Sequence, residues 1–255
     1  MIDCHVHLDD PRYDGERKEI ISNFAADGID FVINSSSDVA SMNAGAALAE
    51  KYEKIYATVG LHPSCADEFN DATVERIKEL AEKPKIVAMG EIGLDYHYPD
   101  TQKQLQKDVF AAQIELADGL GLPLVLHIRD AWGDALDILK AQNRFLNSGV
   151  MFHCYSASVE TTKLLAQRDW YFSVGGSLTY MAKKRYAMLA EIPLGQIVTE
   201  TDGPYLAPEP YRGRLNYPKY IRFVLPLLAD AYGLTTEQTE AQVEYNAKKY
   251  FKKIK

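Results

Sequence analysis

Lys85-Ile86-Val87-Ala88-Met89-Gly90-Glu91 and Pro123-Leu124-Val125-Leu126-His127 flank the stretch Thr101–Leu120, and these three segments decide the fold. The flanks are short, apolar and aliphatic, the pattern of strands covered on both faces. The segment between them is long and amphipathic, as a surface helix is. A strand, a crossover helix and a second buried strand make one βαβ unit with parallel strands.

The same alternation runs along the chain. Strands are expected near Ile2–His7, Asp30–Ser35, Ile55–Leu61, Lys85–Glu91, Pro123–His127, Val150–Cys154, Trp170–Val174 and Gln196–Glu200. Helical patterns lie between them at Gly15–Asp27, Val39–Tyr52, Ala72–Glu82, Thr101–Leu120, Ala131–Phe145, Val159–Arg168 and Tyr186–Ile192. Asp38, Asp71, Asp100 and Ser158 stand where a side chain caps the first free N–H groups of a helix. Eight βα units without a long linker point to an α/β protein, a closed TIM (β/α)8 barrel. Two further helices, about Pro218–Tyr232 and Thr236–Phe251, are expected outside or beneath it. An open doubly wound sheet is the rival, but its G-x-G-x-x-G loop is missing and so is a Walker loop. No repeat, low-complexity segment or Gly/Ser linker interrupts the pattern, so residues 1–255 read as a single domain.

Composition bounds the function. The 255 residues carry 28 Lys+Arg against 36 Asp+Glu, a net charge of −8, with 47% apolar and 25% charged residues. That excludes a disordered chain, a collagen-like fibre and a small disulfide scaffold. The acidic balance argues against a broad basic face that coats nucleic acid, but not against a local site. Three scattered cysteines make neither a disulfide framework nor a zinc ribbon and fit a reducing compartment. The amino terminus has no basic region followed by an apolar one, and no apolar run approaches the roughly 18 residues of a membrane span. The expected location is cytoplasmic, away from any membrane.

The six histidines are not scattered. His5 and His7 end the first expected strand, His62 follows the third, His127 ends the fifth and His153 the sixth. Glu91 ends the fourth, and Asp202 lies just past the eighth. In a (β/α)8 barrel these strand ends share the face on which active sites are built. His5 and His7, two apart on a strand, point to one side with Cα atoms roughly 6.5–7 Å apart, a spacing that suits one metal ion. A carboxylate such as Glu91 after a buried strand is either a rim salt bridge or a bridge between two metals. His127 and His153, at matching positions on neighbouring strands, favour a second metal site. Asp202 suits both metal binding and acceptance of a proton, and Glu200 either joins it or only holds the loop. Nitrogen and oxygen donors without thiolate fit zinc, manganese, iron or magnesium alike.

His-x-His at the start, Gly-Leu-His-Pro at Gly60–Pro63, Gly-Glu-Ile-Gly-Leu-Asp-Tyr at Gly90–Tyr96, His-x-Arg at His127–Arg129, His-Cys-Tyr-Ser at His153–Ser156 and Glu-Thr-Asp-Gly-Pro-Tyr-Leu at Glu200–Leu206 together resemble the metal-dependent deoxyribonucleases of the TatD family. Arg212-Gly213 with Asn216 and Pro218 resembles the family's next segment, so the likeness spans essentially the whole chain. It implies a hydrolase of the amidohydrolase superfamily with two or three divalent ions, their identity open among Zn, Mg, Mn, Fe and Ni. By that likeness His5, His7, Glu91 and Asp202 form one metal site, and Glu91, His127 and His153 the other. Tyr155, Ala157 and Gly203 depart from the residues frequent in the family, and none of them removes a ligand.

The reaction this implies is metal-assisted hydrolysis of a phosphodiester in DNA, from the 3′ end, with no obligate protein partner. Asp202 and Glu91 are the catalytic candidates. His62 and Arg129 either hold the phosphate or, as the plainer alternatives, cap a loop before Pro63 and form a rim salt bridge. His97, between Tyr96 and Tyr98, reads as a solvent-facing loop residue more readily than as a base-stacking one. Arg12, Lys183, Lys184, Arg185, Arg212 and Arg214, beside Tyr155, Tyr180 and Tyr205, outline a candidate rim for a single strand. The rival functions are hydrolysis of another ester (a misacylated tRNA, a lactone or a phosphotriester) and a metal-free binding barrel.

Overall fold

The aliphatic runs become strands at all eight expected places: β1 Ile2–Val6, β2 Phe31–Asn34, β3 Ile55–Val59, β4 Ile86–Asp95, β5 Leu124–Arg129, β6 Val150–Phe152, β7 Tyr171–Val174 and β8 Ile197–Thr199. The helices are α1 Arg17–Ser22, α2 Val39–Lys51, α3 Asp71–Ala81, α4 Lys103–Leu120, α5 Trp132–Ala141, α6 Val159–Leu165, α7 Ala182–Leu189, α8 Leu225–Tyr232 and α9 Thr236–Tyr250. This computed structural model describes residues 1–180 and 182–254, without the side chains of residues 182–185. Lys183, Lys184 and Arg185 of the candidate rim therefore lie outside the described side chains. The strands are parallel and run in chain order, β1 to β8, in one eight-stranded sheet, the (β/α)8 arrangement that the spacing predicts.

Packing divides the chain into two compact units, Met1–Asn34 with Cys154–Tyr250, and Ser35–His153 with Phe251–Lys255. In the first, β7 pairs with β8 and β1 with β2. The last strand lies beside the first: Val6 bridges Gly203, and the Asp202 N–H donates to the His5 carbonyl at 2.9 Å. α9 straps the amino ends of these strands. Asn246 donates to the carbonyls of Leu194 and Ile197, both at 2.7 Å, and the terminal amine of Met1 pairs with Glu240 and Glu244. The second unit is the run β3-β4-β5-β6, with every residue of β4 buried.

Four local expectations change. β4 continues past Glu91 to Asp95, because its ladder with β5 persists to the pair Asp95↔Arg129. The stretch Pro218–Tyr232 is not one helix: a 3-10 turn at Pro218–Phe223 precedes α8, whose first turn holds Pro226, a residue with no N–H for an interior helical bond. Asn70, not Asp71, caps α3 by accepting from Ala72 and Thr73. Asp100 caps nothing, since α4 starts at Lys103 after Gln102. Asp38 and Ser158 do cap α2 and α6. Among the described residues no helix is long and apolar enough to cross a membrane.

Candidate metal centres

The first unit brings together His5, His7 and Asp202. His5 is the last residue but one of a fully buried strand, and the His5 and His7 rings meet edge to face with centroids 5.1 Å apart. Asp202 adopts a left-handed backbone (φ 56°), which a short polar side chain tolerates. Its Oδ1 lies 3.7 Å from His5 Nε2 and 3.5 Å from His7 Nε2. Two donors bound to one ion at about 2.1 Å each stand roughly 3.0–3.4 Å apart, so these gaps need to close by only a few tenths of an ångström.

Asp3, which the motif reading passes over, holds this corner. Its carboxyl accepts from the Thr201 N–H at 2.9 Å and the His5 N–H at 3.3 Å, and it also pairs with the Thr201 hydroxyl. Complete burial pushes it up to about 8 against those hydrogen bonds. Glu200 is buried as well and accepts from the Cys154 N–H at 2.7 Å, which is the loop-holding role.

The second unit brings together Glu91, His127 and His153 in a closed triangle. His127 Nδ1 lies 2.9 Å from Glu91 Oε1 and 2.9 Å from His153 Nε2, and His153 Nε2 lies 3.5 Å from Glu91 Oε1. Three donor atoms of two types converge at ligand spacing. The backbone before Glu91 is pinned, since Ser36 Oγ donates to the Gly90 carbonyl at 2.9 Å and Thr58 Oγ1 also donates to it. The flanking glycines permit close approach, as the motif implies. A Cβ on Gly93, at φ +144°, would stand 2.0 Å from the His127 carbonyl oxygen.

Asp95, also passed over by the motif reading, sets the state of His127. Its Oδ2 lies 3.1 Å from His127 Nε2, so that nitrogen carries the proton and Nδ1 faces the triangle. A carboxylate behind a histidine that orients it toward a cation is the usual outer support of a metal ligand. Burial lowers the His127 pKa, but the Asp95 and Glu91 carboxylates outweigh it and the net direction is up. The site therefore favours positive charge between these acids, the property a divalent ion would use.

His62 packs on the same cluster. Its ring is edge-on to His127 at 4.4 Å, and its Nε2 stands 3.3 Å from Glu91 Oε1. The Ser64 N–H donates to its Nδ1 at 3.1 Å, which makes Nε2 the ring's N–H donor, although His62, Asp95 and His127 also stand together at ligand spacing. Burial and the neighbouring His127 push His62 down to about 3, which keeps it neutral. Arg129 is more peripheral: its Nη1 is 3.9 Å from Asp95 Oδ2 and its guanidinium lies over Tyr98. His97 pairs with Asp130 at 3.2 Å, half exposed and apart from the triangle, as its plainer reading has it. Tyr155 is not part of any rim. It is buried against Phe172, with its hydroxyl 3.0 Å from Thr162, because the loop after β6 folds inward.

Comparison with known proteins agrees with this chemistry. The family model described as TatD related DNase matches residues 2–252. An uncharacterized metal-dependent hydrolase of Bacillus subtilis, YabD, is 35% identical over 253 residues, 99% of each chain. A protein of Cronobacter turicensis named 3′-5′ ssDNA/RNA exonuclease TatD is 29% identical over 259 residues, covering 99% of this chain and 98% of its own. The crystal structure of YjjV, a TatD homologue from Escherichia coli, superposes with a TM-score of 0.92 at 28% identity, over 99% of this chain and 98% of that one. With its sequence matched nearly end to end and donor triads standing at its strand ends, the chain belongs to the TatD family of metal-dependent hydrolases.

Proposed function

We propose that this hydrolase cleaves phosphodiester bonds in DNA, working from the 3′ end of single strands. The Glu91–His127–His153 triangle carries the hydrolytic part of the reading, because three donors at ligand spacing, with a carboxylate behind one histidine, suit a divalent ion. His5, His7 and Asp202 hold one ion and Glu91, His127 and His153 another; Glu91 as the ligand common to both rests on the likeness of the motifs. Divalent ions bound there would supply a water of lowered pKa and positive charge for phosphate oxygens. Asp202 is the group placed to accept a proton from an attacking water. His62 Nε2–H donates to a phosphate oxygen, and Arg129 offers a two-pronged donor set to the same group. The name of the Cronobacter relative supports a nucleic-acid substrate and 3′-end polarity. Three scattered cysteines, with no disulfide framework among them, suit a cytoplasmic location.

The test is a metal-loaded substrate panel. Protein reconstituted separately with magnesium, manganese and zinc is given a 3′-ended single strand, a blocked 3′ end and a set of small carboxyl and phosphate esters. Stepwise shortening of the open strand alone is expected. Turnover of small esters with intact DNA under every metal refutes the nuclease reading and leaves a hydrolase of another ester. Glu91→Ala should lose both metal binding and turnover, and bound stoichiometry of two in that variant would remove Glu91 from the ligand set.

A further inference from the structure

Tyr205 follows Asp202 by three residues, and its backbone is tied on both sides. Its N–H donates to the Asp202 carbonyl at 2.9 Å, and its own carbonyl accepts from buried Asn216 at 2.8 Å. Tyr205 is 47% exposed as a residue, and its ring stands edge-on to His7 with centroids 6.0 Å apart. The Arg12 guanidinium lies over that ring, 4.1 Å from its centroid. Arg12 is held as a plane: its Nε and Nη2 form a two-pronged pair with Asp10 at 2.9 and 2.8 Å. Asp10 also accepts the Arg12 backbone N–H at 2.8 Å, which fixes the fork to the turn that carries it. The pairing balances the charge and leaves a flat, pre-positioned π surface beside a metal-binding triad.

We infer that the Arg12–Tyr205 pair is a base-stacking platform that receives the nucleobase next to the scissile phosphate. It thereby selects a single-stranded polynucleotide by the flat faces of its bases. This inference rests on the nuclease reading above. A base inside a duplex has its faces covered by its neighbours and cannot lie on such a surface, whereas an unstacked base can. Every base has a π face, so the platform is tolerant of sequence. A second plate of the same kind, Arg212 over Tyr180 at 4.4 Å, stands in the same unit and offers a like surface to a further base. With Asp10 on the Arg12 fork, recognition here comes from stacking and not from net charge.

The experiment measures binding to metal-free protein, apart from turnover. A short single strand carries 2-aminopurine beside its 3′-terminal phosphodiester, and a second probe has an abasic sugar at that position. Stacking on Tyr205 quenches the 2-aminopurine. Tyr205→Ala is expected to weaken the base-bearing strand about tenfold and to abolish the quenching, within the range for loss of one base–aromatic stack. Tyr205→Phe should keep both, and the abasic strand should bind wild type and Tyr205→Ala equally. Arg12→Lys keeps the charge and loses the plane, so it should weaken the base-bearing strand as well. Absent quenching on wild type, an equal loss for the two strands in Tyr205→Ala, or full affinity in Arg12→Lys overturns the platform. Cleavage of the same strand by metal-loaded wild type is scored in parallel. No cleavage overturns the nuclease reading itself, whereas cleavage with no coupling between base and Tyr205 overturns the platform alone.

Discussion

Asp95→Asn is predicted to cost the second unit its metal affinity without removing any ligand. Asp95 Oδ1 accepts the His97 N–H at 2.9 Å, so the amide oxygen of an asparagine stays on that side. The amide NH2 then takes the place of Oδ2, 3.1 Å from His127 Nε2. Two donors would face each other there, and the imidazole relieves the conflict by moving its proton to Nδ1. That nitrogen stands 2.9 Å from both Glu91 Oε1 and His153 Nε2 and is the one that must offer a lone pair. Loss of such an outer partner typically costs 10–100-fold in metal affinity, about 1.4–2.8 kcal/mol. The wrong tautomer places this variant at the upper end. Asp95→Ala makes no opposing donor, so its loss should be the smaller of the two. Competition with a chromophoric chelator measures the affinity, and nitrogen chemical shifts of His127 report which nitrogen is protonated. The reasoning fails if Asp95→Asn binds metal within twofold of wild type, or if Asp95→Ala is the more damaging change.

Four shorter predictions concern stability and salt. Gly93→Ala places a Cβ 2.0 Å from a backbone carbonyl at a positive φ, so it should lose more than about 4 kcal/mol or fail to fold in urea titration. Gly133→Ala, in α5 with nothing within 4 Å of its Cβ, should instead gain roughly 0.5–1 kcal/mol. His62 is pushed down to about 3, so as pH falls below 6.5 the unfolded chain takes up this proton before the folded one does. Metal-free protein should therefore lose about 1.4 kcal/mol per pH unit from this group between pH 6.5 and 3, and His62→Gln should flatten that slope. Binding of a single strand should depend weakly on salt, with a log–log slope shallower than about −2, the value for three phosphate contacts at roughly 0.7 each. A steeper slope would show that lysines and arginines supply the attraction.

The strands are legible in the sequence because a β-branched, aliphatic run covered on both faces has few other fates, and the candidate ligands because they stand at or just past the ends of those runs. The supporting acids are harder to read. Asp3 lies two before His5 and Asp95 four after Glu91, even offsets that a regular strand turns to one face. That rule holds only while register holds, and the β4–β5 ladder shifts between Met89 and Ile92, across Gly90 and Glu91 themselves. Parity alone therefore cannot place Asp95 beside His127; the 3.1 Å contact between their side chains in the folded chain does. The caps show the same limit. Asn70 and Asp71 carry equivalent side chains, and only the extended backbone of Asn70 (φ −150°, ψ 177°) makes it the cap. Tyr155 reads as a rim residue and lies in the core, because tyrosine suits both equally until a partner for its hydroxyl, here Thr162, is known.

The net charge of −8 changes meaning once the acids have positions. Asp3, Glu91, Asp95 and Glu200 are buried, and Asp3 is pushed up to about 8, so part of that count never meets solvent as negative charge. Two divalent ions would add about +4 where a phosphate is proposed to sit. Among the described side chains, three of the arginines nearby face acids: Arg12 and Asp10, Arg17 and Asp14, and Arg129 near Asp95. These pairings reduce the attraction that the three arginines offer a polyanion, and the proposed recognition is of short range, from ions on the phosphate and flat side chains against bases. On the proposed reading, such a protein engages a phosphate and an unstacked base offered together, the situation at the end of a single strand.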